Sequence, residues 1–159
     1  FNKYKINYFM IEFRRTNSEN IDFRNLVKEL DKILAVLDGD DHAFFDQFNQ
    51  LDTIKYVIVV YLEEEAIGCG AIKEYSEGIG ELKRIYVLPK FRSKGVATSI
   101  LKELETWAKE LNFEKIIMET GFRQVEAIQL YIKNGFHSIP NYGHYAEVEN
   151  SFCFEKIII

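Results

Sequence analysis

The order of hydrophobic patterns between residues 55 and 159 constrains the fold more than any other feature of the sequence. Three consecutive runs rich in Val, Ile and Tyr have strand patterns, over Lys55–Leu62, Ala66–Tyr75 and Glu81–Val87. The turns between them, residues 63–65 and 76–80, are short and charged or glycine-containing. Short connections of this kind join antiparallel neighbours, so this part of the chain predicts an antiparallel meander.

Beyond Pro89 the pattern alternates between helix and strand. Apolar residues recur at helical spacing over Val96–Leu111 and again over Gln124–Asn134, while Lys115–Glu119 and Ser151–Ile159 are strand-like. A strand–helix–strand succession of this kind predicts a crossover between two parallel strands. The chain is therefore expected to be an α/β protein whose mixed central sheet joins a meander to a parallel unit.

The segment before residue 55 predicts one further strand and one helix. Met10–Arg15 has a strand pattern, and Asp22–Leu37 places apolar residues at helical spacing. The acidic turn Asp38–Asp41 is expected to be a solvated loop, and residues 1–9 an extension ahead of the first strand. With 159 residues and no linker-like composition, residues 1–159 are expected to form one domain.

Composition and charge argue against several functional classes. The chain is 47% hydrophobic and 28% charged, which is typical of globular rather than disordered proteins. Its net charge of −5 is spread along the sequence, whereas nucleic-acid binding needs a clustered basic excess. No apolar run approaches the length of a membrane-spanning helix. We therefore expect neither nucleic acid nor a membrane as a partner.

The two cysteines and three histidines predict neither a redox role nor a metal site. Cys69 and Cys153 lie in strand-like apolar runs and are expected to be buried free thiols of a reducing, cytoplasmic compartment. Neither has a histidine nearby in sequence, so neither is expected to act as a nucleophile. His42, His137 and His144 lack metal-ligand spacing relative to each other and to the cysteines.

The segment from Arg92 to Thr98 lies between a strand and a helix and has the composition of an anion-binding turn. Gly95 and Ala97 keep the helix N-terminus free of bulk, so that its unpaired backbone N–H groups can face an anion. Arg92 and Lys94 add positive charge at the same place. The Walker pattern and the three-glycine dinucleotide fingerprint are both absent, so a phosphate bound here belongs to another class of ligand.

The order strand, Pro89, R-x-x-G-x-A and helix resembles the pyrophosphate-binding motif of the GNAT family of N-acetyltransferases. A second block, Gln124–Phe136, resembles the family's N-x-x-A-x-x-L-Y-x-x-x-G-F helix, with Gln124 where asparagine is usual. The two motifs occur in the family's order and at a suitable distance. The resemblance covers residues 55–159, whereas residues 1–54 match only in outline, as a strand followed by helices.

Shorter motifs resemble a group of small bacterial acetyltransferases within that family. These motifs are G-C-G-A-x-K-E, G-E-L-K and E-T-G, followed towards the C-terminus by a tyrosine–glycine pair. In this sequence they occur at Gly68–Glu74, Gly80–Lys83, Glu119–Gly121 and Tyr142–Gly143.

The resemblance implies a GNAT fold and acetyl-coenzyme A as the co-substrate. It implies a sheet of about six or seven strands, flanked by about four helices and splayed between the fourth and fifth strands. The backbone of Ile85, Tyr86 and Val87 is then expected to pair with the pantetheine amides, and one N–H to polarise the acetyl carbonyl. The other expected coenzyme contacts come from the two motifs and are Arg92, Ser93, Lys94, Gly95, Val96, Ala97, Thr98, Gln124, Ala127 and Tyr131.

Acetyl transfer to an amine requires removal of a proton, because an alkyl amine has a pKa near 10.4 and is protonated at neutral pH. Glu119 is one candidate base, since its spacing to Tyr131 resembles the glutamate–tyrosine pair of ribosomal-protein N-terminal acetyltransferases. Glu81 is the other, at a strand position that other branches of the family use. The sequence leaves the choice open. Tyr131 resembles the family tyrosine whose hydroxyl points at the thioester sulfur, and is the candidate general acid.

The acceptor is expected to be a small primary amine, of amino-acid type in one reading. Lys73 and Lys83, on adjacent predicted strands, are a candidate pair for a carboxylate, and Tyr142 and Tyr145 are candidates to line the acceptor site. Attack is expected to be direct, within a ternary complex, in a monomer or homodimer. A protein N-terminal acetyltransferase and a non-catalytic acyl-coenzyme A-binding module remain as alternatives.

Overall fold

The structure is a computed structural model that describes residues 10–47, 50 and 54–159, and within them it has one sheet of seven strands. The spatial order is β1-β2-β3-β4-β5-β7-β6. Only the β4–β5 pair is parallel among these strands, so the predicted mixed sheet is confirmed. The strands are β1 Ile11–Thr16, β2 Tyr56–Leu62, β3 Glu65–Ser76, β4 Ile79–Val87, β5 Lys115–Gly121, β6 His137–Ile139 and β7 Ser151–Ile157.

The described residues form four α-helices, as the resemblance implied. They are α1 Ile21–Asp38, α2 His42–Asp46, α3 Val96–Glu110 and α4 Val125–Lys133. The start of α1 is fixed by Asn20, whose side chain accepts a hydrogen bond of 2.9 Å from the backbone N–H of Phe23. Three short 3₁₀ turns accompany them, at Gly39–Asp41, Pro89–Phe91 and Gly143–Tyr145.

Side chains of the sheet alternate between two cores on its opposite faces. Ile58, Val60 and Ile72 pack against α3 on one face. Val57 and Val59 point to the other face, where α1 covers them.

Two glycines of β3 let α3 lie close to the sheet. A Cβ at Gly70 would lie 2.7 Å from Ile100 Cγ2 of α3 and 2.7 Å from Ile85 Cδ1 of β4. A Cβ at Gly68 would lie 3.0 Å from the carbonyl oxygen of Tyr86. Real side chains do not tolerate such contacts in a close-packed core. These glycines therefore set the position of α3, and with it the position of the helix N-terminus.

The sheet opens between β4 and β5, as the resemblance implied. The two strands are paired only at Ile79–Lys115, Gly80–Ile116 and Glu81–Ile117. Within the described residues, the rest of β4 from Leu82 to Val87 has no partner on this edge, and neither has the end of β5 on its β4 side. Because each unpaired backbone group in this gap needs a hydrogen-bond partner, the gap is suited to a ligand with amide groups.

The acidic turn at residues 38–41 differs from its prediction as a solvated loop. Asp38 is the last residue of α1 and is buried, and Gly39–Asp41 forms a 3₁₀ turn that leads directly into α2. Long-range contacts account for the difference, because Arg123 Nη1 donates to the carbonyl oxygens of Leu37 at 3.2 Å and Asp38 at 3.1 Å. The sequence pattern also missed α2 and the three-residue strand β6.

Candidate active site

The N-terminus of α3 has the geometry of an anion site. Gly95 precedes the helix with φ +83°, a left-handed conformation that side chains rarely adopt, and no side chain caps the first turn. The backbone N–H groups of Val96, Ala97 and Thr98 open the helix and have no acceptor within it. Their partial positive charge adds to that of the helix dipole.

The gap between β4 and β5 lies next to this helix terminus, because β4 leads into the turn that precedes α3. Leu88 N–H donates to Ile67 O at 2.9 Å, so strand alternation directs the N–H and C=O groups of Val87 towards the gap. The Val87 carbonyl already accepts a hydrogen bond of 2.9 Å from Arg92 Nε. The free helix terminus and this unpaired strand edge together fit the pyrophosphate and the amides of coenzyme A, so these residues could hold it.

Glu119 lies in a small cavity of about 80 Å³ at the gap. It projects from β5 towards the face of the sheet that α1 and α2 cover, and its Oε1 accepts a hydrogen bond of 2.9 Å from Ser151 Oγ. Burial raises the pKa of Glu119 from 4.5 to about 7, partly offset by Ser151 and by the positive charge of Lys83. A carboxylate with such a pKa is a far stronger base than an ordinary glutamate.

Tyr131 lines the same cavity as Glu119 but reaches it from the other face of the sheet, where α4 packs. Its ring is buried and meets Phe136 edge-on, with centroids 5.9 Å apart. Among the described residues, its hydroxyl has no hydrogen-bond partner. Burial, and then the charge of Glu119, raise the pKa of Tyr131 above its ordinary value. The hydroxyl therefore remains protonated at neutral pH and available as a donor.

Glu81, the second candidate base, is already engaged by neighbouring side chains. Tyr142 OH donates to its Oε2 at 2.6 Å, and Lys83 Nζ lies 3.3 Å from its Oε1. All three side chains are at most partly exposed, so the ion pair is not screened as a surface pair would be. Lys83 also donates to Tyr145 OH at 3.5 Å. The structure thus brings both candidate bases near one another but places Glu81 in a closed network.

A second cavity, of about 420 Å³, lies on the other side of Lys83 and Arg84, which line both cavities. Its volume is within the range of about 300–1,000 Å³ that small-molecule sites have. The predicted acceptor residues all line it, namely Lys73, Lys83, Tyr142 and Tyr145. The Tyr142 ring is held edge-on between Tyr75, at 5.3 Å, and Tyr145, at 5.9 Å.

Asp38 is a site residue that the sequence did not indicate. Its side chain lines the cavity of Glu119, and burial raises the pKa of this carboxyl group. The Asp38 charge is one of the influences that raise the pKa of Glu119. Asp38 was missed because its position depends on the contact between the end of α1 and Arg123, which no local pattern reveals.

The remaining predicted residues lie around these two cavities or outside them. Gln124 precedes α4 and lines the cavity of Glu119, and Ala127 packs on the core from the same helix. Cys69 and Cys153 are buried and free, and burial raises the pKa of Cys69 to about 12, so it is not a reactive thiol. Within residues 10–47, 50 and 54–159, no three His, Cys, Asp or Glu side chains are grouped as metal ligands would be. In that same part of the chain, no helix has the length and apolar character needed to cross a bilayer.

Comparison with known proteins supports this geometry. Residues 22–136 match the model of the acetyltransferase (GNAT) family. The chain is 31% identical over 134 residues to an IAA acetyltransferase of Azospirillum brasilense, a match that covers 82% of this chain and 87% of that protein. Among solved structures, an acyl-CoA N-acyltransferase of Klebsiella pneumoniae superposes with a TM-score of 0.80 at 28% identity, covering 94% of this chain and 99% of that one.

A more distant fold match is a GNAT acetyltransferase of Elizabethkingia anophelis, solved with acetyl-CoA bound. It superposes with a TM-score of 0.68 at 19% identity and covers 93% of this chain and 98% of that one. The family match spans most of the chain and agrees with the split sheet and the open helix terminus. The chain therefore belongs to the GNAT family of acetyl-coenzyme A-dependent N-acyltransferases.

Proposed function

We propose that this enzyme transfers an acetyl group from acetyl-coenzyme A to the primary amine of a small molecule, with Glu119 as base and Tyr131 as acid. The observation that carries the proposal is the cavity in which a buried carboxylate of raised pKa and a buried, unpaired tyrosine hydroxyl meet at the gap in the sheet. Within the family, the short motifs at Gly68–Glu74 and Glu119–Gly121 favour the small bacterial acetyltransferases as relatives.

In the proposed reaction, Glu119 and Tyr131 have separate roles in proton transfer. When bound, acetyl-coenzyme A supplies an acetyl group activated as a thioester. Glu119 takes one proton from the acceptor's ammonium group, which frees the nitrogen lone pair to form the new C–N bond. Tyr131 donates its hydroxyl proton to the sulfur as the C–S bond breaks. The tyrosine oxygen then regains a proton from the nitrogen, which loses its second proton as the amide forms, and Glu119 releases its proton to solvent. A backbone N–H on the part of β4 that has no partner in β5, that of Ile85 or Val87, donates a hydrogen bond to the acetyl oxygen.

Glu119 is preferred over Glu81 because its carboxylate has fewer competing partners. Glu81 accepts a hydrogen bond from Tyr142 at 2.6 Å and pairs with Lys83, so both of its carboxylate oxygens are already engaged. Within the described residues Glu119 has one side-chain hydrogen bond, from Ser151, and its burial favours proton uptake. The Glu81 network instead orients Tyr142 and Lys83 along the wall of the larger cavity.

The aromatic wall along one side of the larger cavity favours a small acceptor over a peptide. Tyr142, Gly143 and Tyr145 line one side of it, and the ring contacts of Tyr142 hold this segment against β3. A peptide acceptor needs a groove open at both ends. A non-catalytic binding module has no need of a buried carboxylate and an unpaired tyrosine in one cavity, since burial of both groups costs free energy.

A coenzyme A-release screen against amines, amino acids and N-terminal peptides tests the proposed acceptor class. We expect turnover with one or more free amines and none with the peptides. Turnover restricted to peptides would move the enzyme to the protein N-terminal acetyltransferases. Acetyl-coenzyme A binding without turnover of any acceptor would support the binding-module alternative.

Replacement of Tyr131 by phenylalanine should lower kcat by about 10²-fold, the low end for loss of a general acid, with little change in acetyl-coenzyme A affinity. The substitution removes the hydroxyl but keeps the ring that meets Phe136. Because the pKa of Tyr131 is raised above its ordinary value, steady-state kinetics should show a similar fold-loss at every pH in the working range of the enzyme. Tyr56→Phe is the matched control, because that tyrosine packs against Trp107 away from the cavity. A Tyr131→Phe enzyme with the kcat of the unmodified protein would remove Tyr131 from the mechanism.

A further inference from the structure

The larger cavity contains several charged side chains, most of which are engaged by neighbours. Glu81 is paired with Lys83 and accepts a hydrogen bond from Tyr142. Arg84 Nη1 lies 2.5 Å from Asp31 Oδ1. Lys73 also lines the cavity, and among the described residues its ammonium group has no ion pair and no hydrogen bond. The cavity therefore presents one uncommitted positive charge within the described part of the chain.

The register of the sheet places Lys73 and Glu119 on the same face. Lys73 is directly opposite Glu81 across the β3–β4 pair, and Glu81 is directly opposite Ile117 across the β4–β5 pair. Glu119 follows Ile117 by two residues and so points to the same side of β5. The lysine and the candidate base thus lie on the same face of the sheet, in neighbouring cavities that are both lined by Lys83 and Arg84.

The spacing of these two residues suits a small bifunctional molecule. Two strand spacings of about 4.8 Å and a rise of two residues along β5 separate the Cα atoms of Lys73 and Glu119 by about 12 Å. Both side chains are long and can extend towards each other. The remaining distance between ammonium and carboxylate matches a molecule whose amine and carboxylate are a few bonds apart.

We infer that Lys73 binds a carboxylate of the acceptor, so that the substrate is an amine of the amino-acid class. The inference rests on the proposed acetyl transfer at Glu119, because it places the acceptor's amine there. The aromatic wall formed by Tyr75, Tyr142 and Tyr145 gives the rest of the acceptor an apolar surface. A peptide N-terminus would present an amide to Lys73 instead of a charge.

The test compares amino acids with their α-carboxamides as acceptors for the unmodified enzyme and for Lys73→Gln. The amine of a carboxamide is less basic than that of the amino acid, so the two kinds of acceptor differ in reactivity even with the unmodified enzyme. The effect of the substitution is therefore measured for each acceptor separately, as the kcat/KM of the variant divided by that of the unmodified enzyme. For amino acids we expect a loss of about 10–10²-fold, mainly through KM, since a charged hydrogen bond contributes about 1.5–3 kcal/mol. For the carboxamides we expect a ratio within about twofold, and partial recovery with Lys73→Arg.

Lys102→Gln, an exposed lysine on α3, is the matched control and should change neither ratio. An equal loss for both kinds of acceptor, or no loss for either, would overturn the role of Lys73 while leaving acetyl transfer intact. If no amine is acetylated at all, the proposed function fails separately. In that case, calorimetry in the presence of coenzyme A compares the affinities of N-acetyl amino acids and of their amides for the unmodified enzyme and for Lys73→Gln. Tighter binding of the acids that is lost in Lys73→Gln supports the inference. Any other pattern contradicts it.

Discussion

Replacement of Glu119 by glutamine should lower kcat by about 10²–10⁴-fold while leaving acetyl-coenzyme A affinity nearly unchanged. The carboxylate is the proposed acceptor of the amine's proton, and glutamine keeps its shape without its basicity. The unmodified enzyme should lose activity as the pH falls through about 7, where Glu119 becomes protonated. The variant should lack that acidic limb and recover part of its activity at high pH, where more of the amine is neutral.

The control for this experiment is Glu81→Gln, which tests the other candidate base. It disrupts the contacts to Tyr142 and Lys83, so we expect a raised KM for the acceptor rather than a loss of the acidic limb. If Glu81→Gln abolishes kcat and Glu119→Gln does not, the base is Glu81. If neither substitution lowers kcat, the proton leaves through water or the acceptor binds as the neutral amine.

Stability separates loss of chemistry from loss of folding in these variants. The folded-state pKa of Glu119 is raised, so its contribution to stability is present below the unfolded pKa near 4.5 and is lost as the pH rises through about 7. At pH 8 the ionised, buried carboxylate is therefore unfavourable. The Glu119→Gln protein should unfold at a temperature no lower than the unmodified protein at that pH, as thermal denaturation would show.

Replacement of Gly95 by glutamate should weaken acetyl-coenzyme A binding by at least about 10²-fold, which is about 2.7 kcal/mol. The new side chain would place bulk and negative charge before the first turn of α3, where the free N–H groups face the predicted pyrophosphate site. Isothermal calorimetry measures the affinity, with circular dichroism to establish that the variant is folded.

Gly95→Ala is the control for backbone strain at this position. Because the φ angle of +83° disfavours any side chain, alanine carries the same conformational cost without the charge or the length of glutamate. We expect its affinity to lie much nearer that of the unmodified protein. If a folded Gly95→Glu protein binds acetyl-coenzyme A as tightly as the unmodified one, the turn before α3 does not bind the pyrophosphate and only begins the helix.

The sheet and the two motif helices could be predicted because their information is local. Alternating and helical spacings over residues 55–134 locate β2 to β5, α3 and α4 to within about two residues at each end. The role of the glycines at 68 and 70 is not local, because it depends on the contact of β3 with α3. Strand β6 has three residues, too few for a period to be visible.

The sequence could not show whether Glu81 or Glu119 is the better candidate base, because the answer depends on side chains that are distant in sequence. The hydroxyl that engages Glu81 belongs to Tyr142, and the one that reaches Glu119 belongs to Ser151. Asp38 enters the site only because α1 ends against Arg123. Lys83, in contrast, forms an ion pair with Glu81, which lies only two residues before it.

The short ladder between β4 and β5 has a consequence for the lifetime of the protein. Within the described residues, the ladder between β4 and β5 has three residue pairs, so this seam is where the unliganded molecule should open first. A ligand that bonds to both strands holds the seam closed, and its binding free energy is added to the cost of opening. Resistance to proteolysis then depends on the concentration of the coenzyme. At low acetyl-coenzyme A concentration the enzyme would be degraded faster.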